Sequence, residues 1–180
     1  MKNFSTQKRA YFPIIKYWIF KTKWGYFGFV GNDNGLLRTY LPYAERQGIE
    51  RQILKAFPTA RPEKKPFEGV FKQVLEYFGG KKTDFGKVKV TTGGLSAFTK
   101  KVLAACRGVG FGQVITYREL AKKIGKPSAA RAIGMVMSKN PLPLIIPCHR
   151  VIRSDGKLGG FSAPGGVKTK KKLIELENRR

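Results

Sequence analysis

Two aromatic, β-branched runs meet across Asn32-Asp33-Asn34-Gly35, and no other stretch restricts the fold as much. A turn of this composition supplies the positive φ that tight hairpins need, so the chain doubles back and pairs its flanks antiparallel. The flanks are residues 14–20, 24–31 and 36–40, rich in side chains that suit a pleated, half-buried surface. The period then changes. Over residues 44–57, Ile49, Ile53, Leu54 and Phe57 fall at helical spacing and stop at Pro58. A linker rich in Pro and Lys spans 58–66. Phe67, Val70, Phe71, Val74, Leu75 and Phe78 mark a second amphipathic helix, closed by Gly79-Gly80. Strands followed by helices predict a small α+β unit over residues 1–88.

Beyond the basic bridge at 81–89 the character is helical. Residues 96–105 read as a helix with Phe98, Val102 and Ala105 on one face, followed by interruptions at Gly108, Gly110 and Gly112. Thr116 and Glu119 form a capping box, which sets Tyr117 in the first turn of a helix reaching about residue 124. Gly125-Lys126-Pro127 turns the chain, and Ser128 is placed to cap a second helix over 129–139. Such a pair is a helix-turn-helix candidate, although most helix pairs of this spacing are ordinary packing units. The second helix carries Ala129, Ala130, Ala132 and Gly134, small enough for close approach to another surface, while Arg131 projects from its first turn. The expected class is α+β: an antiparallel sheet with helices, then a mostly helical unit over 89–180 containing a helix-turn-helix.

Charge narrows the partners. There are 36 Lys and Arg against 11 Asp and Glu, a net +25, and a field of that sign favours a polyanion such as DNA or RNA. No run approaches the ~20 apolar residues of a membrane span, and the basic start at residues 1–9 lacks the apolar stretch of a secretory signal. Cys106 and Cys148 form no Cys-x-x-Cys pair and no disulfide framework, so a reducing, cytoplasmic setting is expected. One histidine and two distant cysteines leave no protein-built zinc site.

The chemistry concentrates at Pro147-Cys148-His149-Arg150-Val151, which joins the only histidine to one of the two cysteines. A thiol attacks as thiolate, and a neighbouring base is expected to lower its pKa. In an extended segment adjacent side chains face opposite ways, so a bridging water is the economical link between Cys148 and His149. The imidazole then needs an acid to orient it, from Asp155, Glu175 or Glu177. A cysteine hydrolase is a competing reading, but it would need an oxyanion hole and repeated turnover, and adjacent Cys-His is awkward for it.

This block does not stand alone. With it come Gly112-x-x-x-Thr116-Tyr117-x-x-Leu120-Ala121, Ala129-Ala130-Arg131-Ala132, Asn140-Pro141-x-Pro143, Gly159-Gly160-Phe161-Ser162, Gly165-Gly166 and a helix over 170–177. In order and spacing these resemble the O6-alkylguanine-DNA alkyltransferases, also called methylated-DNA–protein-cysteine methyltransferases. The resemblance covers roughly the C-terminal half; the N-terminal half matches only in general plan. It implies that Cys148 accepts an alkyl group from O6 of guanine, that His149 acts as its base through water, and that Glu177 orients the imidazole. It implies that Asn140 fixes the loop before the active site, and that Tyr117 helps rotate the nucleotide and protonates the departing guanine. Arg131 would fill the vacated stack, with Ser128, Ala129 and Ala130 against the minor groove. Val151, Ser162, Pro143 and Met137 would surround the flipped base. The implied partner is double-stranded DNA carrying O6-alkylguanine, chiefly O6-methylguanine with O4-methylthymine also admitted, bound by a monomer without cofactor or metal. A non-catalytic, alkyltransferase-like lesion-binding protein is the other reading; such relatives replace the acceptor cysteine, which is intact here. Two departures bear on substrate range: the 162–166 loop is longer than the shortest family versions, and Phe161 stands where tyrosine is also common.

Overall fold

The computed structural model describes residues 13–179; the start of the chain, read above for a secretory signal, lies outside it. Strand β1 (Lys16–Thr22) pairs antiparallel with β2 (Gly25–Asn32), and β2 with β3 (Gly35–Tyr43). The hairpin sits where its residues demand it: Asn34 N donates to Asn32 Oδ1 at 2.9 Å, and Gly35 takes φ +134°. The linker is less bare than its composition suggests. It contributes β4 (Arg61–Pro62), parallel to β1, giving the order β3-β2-β1-β4. Arg61 N donates to Ile15 O and Glu63 N to Tyr17 O, so Pro62, which has no N–H, falls where none is needed.

Helix α1 (Arg46–Ala56) covers one sheet face through Ile49 and Ile53. Gly28 makes room for it, since a Cβ there would lie 2.8 Å from Ile49 Cγ2. Helix α2 (Glu68–Phe78) covers the other face, but its buried stripe is Val70, Val74, Tyr77 and Phe78. Leu75, expected inside, is on the exposed side, and the fully buried Tyr77 holds the inner position. From there one core runs without a break through Phe27, Phe29, Phe67 and Phe78 to Val102, Leu103, Leu120 and Leu173. Each such side chain contributes roughly 1.5–3 kcal/mol by leaving water.

That core seats α3 (Ala97–Arg107), α4 (Tyr117–Lys123), α5 (Ala130–Ser138) and α6 (Gly166–Asn178). The capping box is formed: Glu119 N donates to Thr116 Oγ1 at 3.1 Å and Thr116 N to Glu119 Oε2 at 2.7 Å. Ser128 does not cap α5. Ala129 occupies the cap position without a side-chain bond, because main-chain bonds from Lys126 N to Ala121 O and Ala129 N to Lys126 O already close the turn. Just before α4, β5 (Ile115–Thr116) pairs parallel with β6 (Val151–Ile152), so Tyr117 emerges beside the segment that carries Cys148. No helix among the described residues is long and apolar enough to cross a membrane.

Candidate active site

The loop from Asn140 to Cys148 is held from both sides. Asn140 Oδ1 accepts from Leu142 N at 3.0 Å, while its Nδ2 donates to Ile146 O at 2.8 Å and to Cys148 Sγ at 3.2 Å. From β3, Thr39 N donates to Pro141 O and Thr39 Oγ1 to Pro143 O, at 3.0 and 2.7 Å. Between these anchors Leu144 adopts φ +78°, a conformation that a branched residue holds only when its surroundings impose it.

The next residues are not extended, as the sequence suggested. Cys148–Arg150 form one turn of 3₁₀ helix, entered by Cys148 N to Ile146 O and closed by Arg150 N to Pro147 O. Three residues per turn send three successive side chains in three directions. Cys148 turns toward Asn140, while His149 and Arg150 turn toward α6. His149 Nε2 lies 2.7 Å from Glu177 Oε1. Arg150 grips both oxygens of Glu177, Nη2 to Oε1 and Nε to Oε2, each at 2.9 Å. Tyr77 OH donates to Oε1 at 2.6 Å and Gly112 N to Oε2 at 3.1 Å. Of the three acids the sequence offered, the structure brings Glu177 to the imidazole.

Burial pushes the Glu177 carboxyl up, but hydrogen bonds and charge from His149 and Arg150 outweigh it and bring it down to about 2. At neutral pH it is an anion. Burial lowers His149 and outweighs the hydrogen bond and charge of Glu177, which raise it; the Arg150 and Lys170 charges add to the fall, so the ring is neutral at neutral pH. With Nε2–H committed to Glu177, Nδ1 carries the lone pair; it is buried and has no partner among the described residues. The expectation of a lowered Cys148 pKa is corrected: burial pushes the thiol up, against Asn140, the Lys170 charge and the backbone N–H groups of Cys148 and His149. The resting group is a thiol.

Cys148 opens into two cavities that share Ser138, Phe161 and Ser162. One, about 410 Å³, adds Tyr117, Gly134, Met137 and Gly160. The other, about 220 Å³, adds Asn140 and Pro143 and reaches Arg38, Tyr40 and Gln52 of the N-terminal half. Burial and then the neighbouring cysteines raise the Tyr117 phenol, so it is protonated. Gly159 lies against the Tyr117 ring at φ +72°, a left-handed conformation that favours glycine. Arg131 is exposed at the start of α5, with Ser128 also exposed and Ala129 and Ala130 partly so. Val151 borders neither cavity; it is fully buried, and its carbonyl accepts from Lys170 Nζ at 2.6 Å.

Lys170, Arg150, Tyr77 and Thr39 were given no role by the sequence. Lys170 is wholly buried, its ammonium bonded to Val151 O and Leu158 O, and burial lowers it to about 8. Its spacing from Leu173 and Glu177 puts it on the inward face of α6, a signal that was available. Tyr77 and Thr39 carried no such signal.

The fold and site define a helix pair with a buried cysteine held behind its second helix, and known proteins show which class this is. Residues 97–179 match the family model described as 6-O-methylguanine DNA methyltransferase, DNA binding domain. The methylated-DNA–protein-cysteine methyltransferase of Metallosphaera sedula is 43% identical over 62% of this chain and 67% of its own length. That of Sulfolobus acidocaldarius is 33% identical over 91% and 94%. The crystal structure of Mycobacterium tuberculosis OGT in complex with DNA superimposes at TM-score 0.74 with 32% identity, covering 90% of this chain and 92% of that one. The chain belongs to the methylated-DNA–protein-cysteine methyltransferase family.

Proposed function

We propose that this protein repairs DNA by moving the alkyl group of an O6-alkylguanine, flipped out of the duplex, onto its own Cys148, once per molecule. The observation that carries this reading is the placement of Cys148 Sγ. It lies between Asn140 and a two-cavity pocket, beside a buried neutral imidazole and beneath the helix that presents Arg131. The 410 Å³ cavity suits the base, between Tyr117, Met137 and Ser162. The smaller one, with Pro143, suits the O6 substituent.

In the step itself a C–S bond forms as the C–O6 bond breaks, in line. The thiol proton passes through water to His149 Nδ1, and Glu177 steadies the imidazolium. Tyr117 gives a proton to the departing guanine and is itself reprotonated from the imidazolium, so the thiol proton ends, in effect, on guanine. A resting thiol with a raised pKa makes this proton transfer necessary, and the Lys170 charge favours the thiolate as it forms. The thioether is stable and the site holds no group to cleave it, hence single use. Arg131 wedges the stack, and Ser128, Ala129 and Ala130 lie against the groove; extrusion costs a few kcal/mol. Phosphate contacts from a +25 chain give binding of little sequence preference. An acceptor that must remain a thiol supports a reducing, cytoplasmic setting, and we take the acting unit to be a monomer.

The test is mass spectrometry after mixing with a duplex containing O6-methylguanine. One methyl on the Cys148 peptide, saturating at one per protein and absent in Cys148→Ala, is the expected outcome. Tight lesion binding by unmodified wild-type protein would turn the reading to a lesion-marking module.

A further inference from the structure

We infer that Tyr77, a residue of the N-terminal half outside the matched DNA-binding domain, is a positioning residue for alkyl transfer: its phenol, acting through Glu177, holds and tunes the His149 imidazole. This rests on the function proposed above. Glu177 Oε1 accepts three hydrogen bonds, and the one from Tyr77 OH, at 2.6 Å, is the shortest. That length falls in the range of charge-assisted O–H···O⁻ bonds, about 2.5–2.7 Å. The phenol oxygen is also 3.4 Å from His149 Nε2, so the hydroxyl touches both members of the pair.

Aromatic packing aims the hydroxyl. The Tyr77 ring meets Phe78 and Phe111 edge-on, with centroids 5.3 and 5.9 Å away, and lies 5.9 Å from Phe85. The side chain is fully buried, and nothing in that packing requires an oxygen. A phenylalanine would keep the ring contacts and lose only the bond to Glu177. The hydroxyl therefore needs an explanation of its own, and the carboxylate is its partner.

The consequence is electrostatic. A strong donor on Oε1 draws charge from the oxygen that faces the imidazole, which makes imidazolium less favourable. The other charged or titratable groups packed around the ring are Arg150 and Cys148 from its own turn and Lys170 and Glu177 from α6. Among the described residues, only Tyr77 comes from the N-terminal half. Without it the Glu177 charge falls more fully on His149 and the ring gains basicity. The base is then blocked by protonation at higher pH than in the wild type.

The single histidine makes this readable, since any imidazole nitrogen signal in 15N-labelled protein belongs to His149. Tyr77→Phe is expected to raise the pH at which that ring titrates by about 0.5 to 1 unit. Single-turnover transfer should fall about 3- to 10-fold on the acid limb and stay within about twofold at high pH. Replacing Tyr77 by 3-fluorotyrosine, a stronger donor, should move the titration the opposite way. A uniform loss of rate at all pH with an unmoved titration would make Tyr77 merely structural and overturn the inference, as would shifts of the same sign in both variants. If wild-type protein took up no methyl group, the proposed function would fail while the titration readout still stood.

Discussion

The two halves of the molecule meet the same active site under different constraints. The C-terminal half supplies every group proposed to touch the reacting atoms, Cys148, His149, Asn140 and Tyr117, with the cavity proposed for the base between α5 and the 160–162 segment. The N-terminal half supplies support at one remove. Tyr77 OH reaches Glu177, Thr39 clamps the Pro141 and Pro143 carbonyls, and Arg38 and Tyr40 wall the outer cavity. Where chemistry is done, residue identity is dictated by proton affinity and hydrogen-bond geometry. Where support is given, many residues would pack, and only a few hydroxyl groups are specific. The division is one of tolerance, and the following substitutions test it.

The largest effect is expected at the centre of the C-terminal network. Glu177→Gln keeps the shape but removes the only carboxylate bonded to Arg150 among the described residues, leaving a buried guanidinium without that counter-charge. Breaking a buried pair this way costs about 3–5 kcal/mol. Urea denaturation should show a loss of that size, with methyl transfer reduced more than about 100-fold as His149 loses its orienting partner. An unmoved denaturation midpoint would mean that the network does not anchor this half.

Acid should reach the same network without mutation. The Glu177 carboxyl titrates at about 2 folded against 4.5 as its ordinary value, so below 4.5 the unfolded chain takes up a proton that the folded one refuses. The stabilisation is therefore present above that pH and drains away as pH falls toward 2, a loss of about 3 kcal/mol. His149 acts in the same sense, because burial keeps it neutral when an unfolded histidine would already be charged below about 6.5. Thermal midpoints should decline from pH 7 downward and more steeply below 4.5. A flat profile would show that the buried ion pair contributes nothing net.

Arg131 separates chemistry from mere attachment within the C-terminal half. It is one exposed cation among many, so Arg131→Ala should weaken duplex affinity only about two- to threefold. If it wedges the stack, transfer from a duplex should fall about tenfold or more, while transfer from a free O6-alkylguanine base stays near wild type. Equal losses in affinity and transfer would remove the wedge and leave Arg131 as a phosphate contact.

Legibility in the sequence follows the same division. The hairpin, the capping box and the helix pair were readable because each depends on local chemistry: a positive φ at Gly35, a hydroxyl three residues before a carboxylate at Thr116 and Glu119. Read locally, Glu177 was one of three acids; the family resemblance singled it out, and α6 turns it onto His149. The 3₁₀ turn at Cys148 was not readable, since it is imposed by a loop clamped from β3, 104 residues away along the chain. Tyr77 was hidden for a related reason. On an amphipathic helix an aromatic residue reads as core, and nothing local tells that its hydroxyl will meet a carboxylate 100 residues on. The raised thiol pKa was missed because a neighbouring histidine argues for ionisation, whereas burial decides it.

Thr39 gives the smallest expected effect and the sharpest test of how support works. Thr39→Val preserves shape, β-branching and the main-chain bond to Pro141 O, and removes only the hydroxyl that donates to Pro143 O. The stability cost should be that of one buried hydrogen bond with its acceptor left unpaired, about 1–2 kcal/mol. The functional cost should exceed what that suggests. Leu144 holds its left-handed conformation between the Thr39 and Asn140 anchors, and a slackened clamp lets it relax and carry the Cys148 turn with it. Transfer should slow about three- to tenfold at saturating DNA, while duplex affinity is unchanged, because Thr39 lies in β3 rather than on the helix proposed to face the groove. A loss of stability with transfer intact would show that the N-terminal half only braces the fold, whereas slowed transfer at full stability would place the N-terminal half within the mechanism.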